Sequence, residues 1–282
     1  MTTNIGAESR YVDVNGLRLH CLDWGNAEAP ALVCVHGFRG NAHSFDAFAR
    51  RFRDRYHVIA VDVRGRGDSA WAPDGDYSMA TYASDLEGVV DALGLDRFSY
   101  IGTSMGGRIG MIYAGHHGDR LERFILNDIG PDREAGSDRI TAEAGRTPES
   151  FASLEEAIAY RASISAPLAG RPPEEQREAA LTQVKQAEGG RWVWKNDPEF
   201  LRQRSSGGAV PQPELWDVLR VSRRQRCCSG VRPPTCCQRD RRAGSSRPCP
   251  TAGWPRCRAS GMRRRCRSRP RSRPWRPSFP PR

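Results

Sequence analysis

The chain has 282 residues and a formal net charge of +11, from 44 Lys+Arg against 33 Asp+Glu. The charge is unevenly placed: Val221–Arg282 holds 19 Arg, no Lys and one acid, Asp240, a net +18, which leaves −7 on residues 1–220. An acidic body with a basic tail excludes a single class for the whole chain, and the lack of any run of 18 apolar residues argues against a membrane span. The first ten residues lack the charged-then-apolar pattern of a signal peptide, so a cytoplasmic protein is expected. Of nine cysteines, Cys21 and Cys34 fall in apolar strand-like runs, where a buried thiol is the ordinary reading. The other seven are in the tail, with neither C-x-x-C pairs nor a nearby His, so no zinc site is expected.

In chain order, Tyr11–Val14, Asn15-Gly16 and Leu17–Leu22 read as a hairpin. Ala31–Val35 suits a buried strand, Ser44–Phe52 a helix with three Phe at helical spacing, and His57–Val63 the next strand. Met79–Leu93 reads as a helix with Tyr82, Leu86, Val89, Val90 and Leu93 on one face. Phe98–Gly102 is a strand, Gly106–Ala114 a helix and Phe124–Asn127 a strand. This alternation predicts an α/β fold: a mostly parallel sheet with helices on both faces. Residues 131–216, polar and rich in Ala and Glu, read as a helical cap over the carboxyl edge of the sheet, with helices in Ser153–Ala162 and Pro173–Gly189. Trp192, Trp194, Phe200 and Trp216 there either line a pocket or simply pack. Residues 217–282 lose Leu, Ile and Tyr almost completely and are expected to be disordered.

The chemistry is concentrated in Gly102-Thr103-Ser104-Met105-Gly106, a G-x-S-x-G pattern between an apolar strand and a helix. A tight turn there forces Ser104 into a strained, exposed position fit for a nucleophile, and the Met105 amide at the helix start faces an oxyanion. The other half of an oxyanion hole is expected from His36-Gly37-Phe38-Arg39-Gly40 after the strand Ala31–Val35. Phe38 offers the amide, Gly37 permits close approach, and His36 is either a base or, preferably, a brace of the loop. Arg66-Gly67-Asp68 resembles an adhesion tripeptide, but the reading as a tight loop beside the site fits a chain without a secretory signal. Gly65-Arg66-Gly67 lacks the third glycine of a phosphate fingerprint.

His36-Gly37-Phe38, the Asp62–Ser69 loop, Gly102–Gly106 and Asn127-Asp128 occur in the order and spacing of the α/β-hydrolase family, which residues 10–216 resemble. The chain is similar to the cap-bearing branch of esterases, lactonases and carbon–carbon bond hydrolases. The resemblance implies hydrolysis of a small-molecule ester or related acyl bond through an acyl-enzyme, without metal or organic cofactor. It also implies an acid after a later strand and a His near the C-terminus.

The chain departs from that pattern in its base. Its histidines are His20, His36, His43, His57, His116 and His117, and none follows the helix after Ser104 in the family's place for the base. Asp128 is either the triad acid in the less common arrangement or a loop-bracing residue. The tail accounts for the gap if read in a shifted frame. Codons built from the third base of one residue and the first two of the next give a string around Cys227–Cys237 compatible with Leu-Leu-x-Gly-x-x-x-Asp-x-Leu. Further on, Arg256–Arg263 is compatible with Val-Pro-Gly-Ile-Gly-His-Ala. These resemble the family's acid strand and histidine loop, so a reading-frame shift between about Asp217 and Ser222 is expected, with the last strands and closing helix missing. The rival reading is a non-catalytic hydrolase-like body whose Arg-rich tail contacts nucleic acid or anionic lipid. Against it stand the absence of Lys, the seven cysteines and the few aromatics for stacking on bases, so neither specific nucleic-acid binding nor membrane binding is expected.

Overall fold

Apolar residues on both sides of the pleat mark strands covered on both faces, and in the computed structural model of the chain they form the inner strands of a six-stranded sheet. The structure describes residues 6–131, 146–205, 215, 216 and 218. β1 (Glu8–Val14) and β2 (Leu17–Asp23) form the expected hairpin, with Asn15 and Gly16 at φ of 51° and 77° in the turn. β3 (Ala31–Val35), β4 (His57–Val61), β5 (Phe98–Thr103) and β6 (Leu121–Asn127) complete the sheet in the order β1-β2-β4-β3-β5-β6. β2 runs antiparallel to β4, and every later pair is parallel.

The period of two divides each inner strand between two cores. Val33, Val35, Ile59, Val61, Phe98 and Tyr100 pack with Tyr82, Leu86, Val89, Ile109 and Tyr113 of helices α2 (Met79–Ala92) and α3 (Met105–His117). Leu32, Cys34, Val58, Ala60 and Ile101 face the other way, onto Trp24, Phe45 and Ala49. There a single 3-10 turn, Ala42–Phe45, leads into α1 (Asp46–Phe52). Burial pushes the Cys21 thiol up to about 12, so it is protonated and unreactive at neutral pH.

The segment after residue 146 corrects the expectation of a purely helical cap. β7 (Ser150–Phe151), α4 (Leu154–Ser163), α5 (Ala166–Ala169), α6 (Pro173–Leu181), β8 (Val184–Gln186), β9 (Trp192–Trp194) and α7 (Pro198–Ser205) alternate, and β7-β9-β8 form a small antiparallel sheet. The helix read over Pro173–Gly189 stops at Leu181, and the rest of that range forms β8 and the hairpin turn at Gly189 and Gly190, at φ of 87° and 83°. Trp194 is buried against Phe151, Leu154, Ala157 and Val184, a packing role, whereas Phe200 belongs to the core shared with α2 and α3. Trp216 is exposed, and its neighbour Leu215 packs on Ala83, Met111 and Ile112. No described helix is long and apolar enough to cross a membrane. Apart from Val218, the tail 217–282, with its arginines, seven cysteines and shifted-frame motifs, lies outside the described residues, as does the expected loss of the closing strands.

Candidate active site

Between β5 and α3 the chain reverses within one residue. Ser104 has φ 47° and ψ −110°, a conformation that L side chains rarely adopt and that holds it up at the carboxyl end of the sheet. Glycine makes the turn possible. A Cβ on Gly106 would lie 2.2 Å from the Val35 carbonyl oxygen, and one on Gly102 would lie 2.5 Å from that of Gly106. The turn is pinned from both sides: the Ser104 amide donates to the Asn127 carbonyl at 2.9 Å, and the buried Tyr100 hydroxyl donates to that of Gly106 at 2.7 Å. Met105 is the first residue of α3, where a backbone amide has no partner inside the helix.

The loop after β3 lies against this turn, with the Cβ of Ser104 3.5 Å from where a Cβ on Gly37 would be. Phe38 follows, its carbonyl held by Nε of the fully buried Arg66 at 3.3 Å. Arg66 lies over the Phe200 ring, 3.3 Å from its centroid, and that ring packs on Phe38 at 4.9 Å. Residues 146–205 thus contact the loop that carries the candidate oxyanion donor. Three further bonds hold them there: Asn41 Nδ2 to the Thr182 carbonyl (2.6 Å), the Asp197 amide to the Gly65 carbonyl (3.0 Å), and the Tyr77 hydroxyl to the Asp197 carboxylate.

His36 is fully buried. Its Nε2 accepts the Val63 amide at 3.3 Å, so Nδ1 carries the proton and donates to the Gly37 carbonyl at 2.8 Å. Desolvation lowers its pKa to about 4, partly offset by the Asp62 charge. The other imidazoles are committed elsewhere: His20 to Asp62 (2.7 Å), His43 to Asp46 (3.1 Å), His57 to Asp23 (2.8 Å) and His117 to Glu87 (3.2 Å), with the His116 ring against that of His117. All six histidines are described, and no hydrogen bond joins any of them to Ser104 among the described residues. Asp128 is exposed, at φ 56°, one residue past the end of β6. Since Thr103 pairs with Asn127 at the ends of β5 and β6, Ser104 and Asp128 are the residues that directly follow these neighbouring strands.

Sequence reasoning missed the network beneath the loop. Asp62 accepts the Ala42 amide at 2.6 Å, the Asp68 amide at 2.9 Å and His20 Nδ1 at 2.7 Å. Burial raises its pKa, but these donors and the nearby imidazoles outweigh that and hold the carboxyl below the usual range. His20, Asp62 and Asp68 bring ligand atoms within 4.8 Å of one another, the spacing of a metal site. Their chemistry is already used, because His20 Nε2 meets Ser9 Oγ at 3.1 Å and Lys195 Nζ binds both oxygens of Asp68 at 2.7 and 3.0 Å. The group is a hydrogen-bonded brace that fits no ion without breaking these bonds. An Asp at a strand end with a glycine five residues later was the available signal, but the partner on β2 was not readable.

The profile of the family described as alpha/beta hydrolase fold matches residues 30–156. Over 204 residues the chain is 34% identical to a 3-hydroxybutyrate-oligomer hydrolase of Cupriavidus necator, covering 69% of each chain. It is 36% identical over 130 residues to a fluoroacetate dehalogenase of a Burkholderia species, covering 45% of this chain and 42% of that one. Among solved structures, an alpha/beta hydrolase of Novosphingobium aromaticivorans superposes with a TM-score of 0.67 at 29% identity, covering 77% of this chain and 78% of that one.

Proposed function

The chain belongs to the α/β-hydrolase fold family, and from that premise we propose that it is a serine hydrolase which cleaves a carboxylic ester through an acyl-enzyme on Ser104. The observation that carries this reading is the positive φ of Ser104 at a glycine-flanked strand-to-helix turn. Ser104 Oγ attacks the ester carbonyl, the developing oxyanion is received by the amides of Phe38 and Met105, and the alcohol departs as the C–O bond breaks. Asp128, exposed just past the end of β6, is the candidate acid for orienting a base. The relative named as a 3-hydroxybutyrate-oligomer hydrolase supports a small hydroxy-acid ester as substrate class.

The missing part is the base that takes the Ser104 proton and passes it to the leaving alcohol. None of the six histidines serves, so turnover by this sequence is impaired, and the shifted-frame histidine after Asp217 restores it. Removing one member of such a unit costs nearly as much as removing all of them, so Ser104→Ala in the present chain is a poor test. Exogenous imidazole is a better one: above the hydrolysis that imidazole causes without protein, it is expected to accelerate p-nitrophenyl ester hydrolysis in the Ser104 chain and not in Ser104→Ala. A frame-restored chain is expected to gain about 10⁴-fold or more and to lose it in Ser104→Ala. Equal imidazole response in both chains, together with restored-frame activity that survives Ser104→Ala, would sink the mechanism.

A further inference from the structure

Phe38, whose amide is the candidate oxyanion donor, is gripped through both peptides that flank it. The Gly37 carbonyl shares a peptide plane with the Phe38 amide, and it accepts His36 Nδ1 at 2.8 Å and the Gly40 amide at 3.0 Å. The carbonyl of Phe38 itself accepts Nε of Arg66 at 3.3 Å. The first grip comes from the loop's own residues. The second comes from the loop after β4, and it is tied to α7.

The tie is the guanidinium of Arg66, which is fully buried and pairs with no carboxylate among the described residues. Its Nη1 donates to the Gly65 carbonyl at 2.9 Å, and the Asp197 amide, just before α7, donates to that same oxygen at 3.0 Å. Its face lies 3.3 Å from the centroid of the Phe200 ring of α7, and this ring packs on that of Phe38 at 4.9 Å. Phe200, Arg66 and Phe38 therefore close a triangle of contacts. Burying a cation without an acid costs stability, and stacking on a ring offsets only part of that cost. A methionine fills similar space without the cost, but it cannot hold a carbonyl oxygen at its edge and a ring on its face at once.

We infer that Arg66 is a positioning residue that couples the seating of α7 to the orientation of the Phe38 peptide, so that the oxyanion donor is set only while Phe200 is packed on the guanidinium. Moving α7 off the loop takes the ring from the guanidinium and leaves Phe38 held through one peptide instead of two. The inference deepens the Ser104 reading and rests on it for its place in the reaction, but the coupling is measurable without turnover.

The test is hydrogen exchange of the full chain, followed by mass spectrometry in the segment Gly37–Asn41. Arg66→Met and Phe200→Leu are each expected to speed exchange there about tenfold, the loss of one buried hydrogen bond, while the inner strand Val58–Val61 stays unchanged. Arg66→Lys is expected to keep part of the protection, and the double variant to exchange no faster than either single one. The rate that depends on both imidazole and Ser104 is the second readout: kcat is expected to fall about tenfold in Arg66→Met with KM within about twofold, as for a group that acts only in the transition state. Unchanged exchange of the loop in the folded single variants, or effects that multiply in the double variant, overturns the coupling. A raised KM at constant kcat overturns the positioning role. Should Arg66→Met not fold, Phe200→Leu and Arg66→Lys decide in both readouts. An imidazole response that survives Ser104→Ala removes the Ser104 reading instead, and the exchange data still decide whether α7 and the Phe38 loop are coupled.

Discussion

Both nitrogens of His36 are used, one donating to the Gly37 carbonyl of its own loop and one accepting the Val63 amide from the loop after β4. The accepting role requires a neutral ring, and burial supplies it by lowering the pKa to about 4. In the unfolded chain the same imidazole takes up its proton near 6.5. Between those values the unfolded state binds more protons, so the contribution is complete above about pH 6.5 and is lost as the pH falls toward 4. The shift corresponds to about 3 kcal/mol at most. Thermal melts over that range are expected to show a steeper acid decline in the native chain than in His36→Gln, and parallel curves would refute the account. Ser104, Gly37, Phe38 and His36 were legible in the sequence because a strand-to-helix turn leaves glycines at fixed spacing. Arg66 was not, since an arginine looks the same in sequence whether it sits in water or over a phenylalanine ring.

At the scale of elements, residues 146–205 are joined to the sheet portion by polar bonds around one aromatic cluster. The Tyr77 hydroxyl accepts the Ala72 amide at 3.0 Å and donates to Asp197, whose other oxygen accepts the Glu199 amide at 2.8 Å and so opens α7. Tyr77→Phe leaves a buried amide and a buried carboxylate oxygen unpaired. The expected cost is about 2–3 kcal/mol, seen as a lower melting temperature and as faster proteolysis within residues 146–205. An unchanged proteolytic pattern would show that the cap is held by other contacts. The strands of the cap escaped the sequence reading for a definite reason. β8 and β9 have three residues each, too few for an alternation to stand out beside an Ala- and Glu-rich helix. The adjacent Gly189-Gly190 was the one available signal, and it marks the turn between them.

Across the whole molecule, β6 is the outer strand of the sheet among the described residues. Its Ile125 pairs in register with the buried Ile101, on the face that α1 covers, yet is 47% exposed. An apolar side chain on an unpaired strand edge is a site for self-association. Ile125→Lys is expected to reduce light scattering at high protein concentration while shifting stability by no more than about 0.5 kcal/mol. Equal scattering by both chains would show that β6 is not the sticky edge.

The sequence by itself determined the opening hairpin, the parallel strands, the sharp turn that carries Ser104 and the lack of a histidine beyond the helix that follows it. These follow from apolar periodicity and from glycine requirements that are local to the chain. Only the tertiary structure decided that five histidines are tied to partners away from Ser104 and that the sixth, His36, joins its own loop to the one after β4. It alone showed that residues 146–205 contain a sheet and that Arg66 and Phe200, 134 positions apart, stack on one another. Such placements depend on how the cap packs against the loop, a long-range fit that no local pattern of residues encodes.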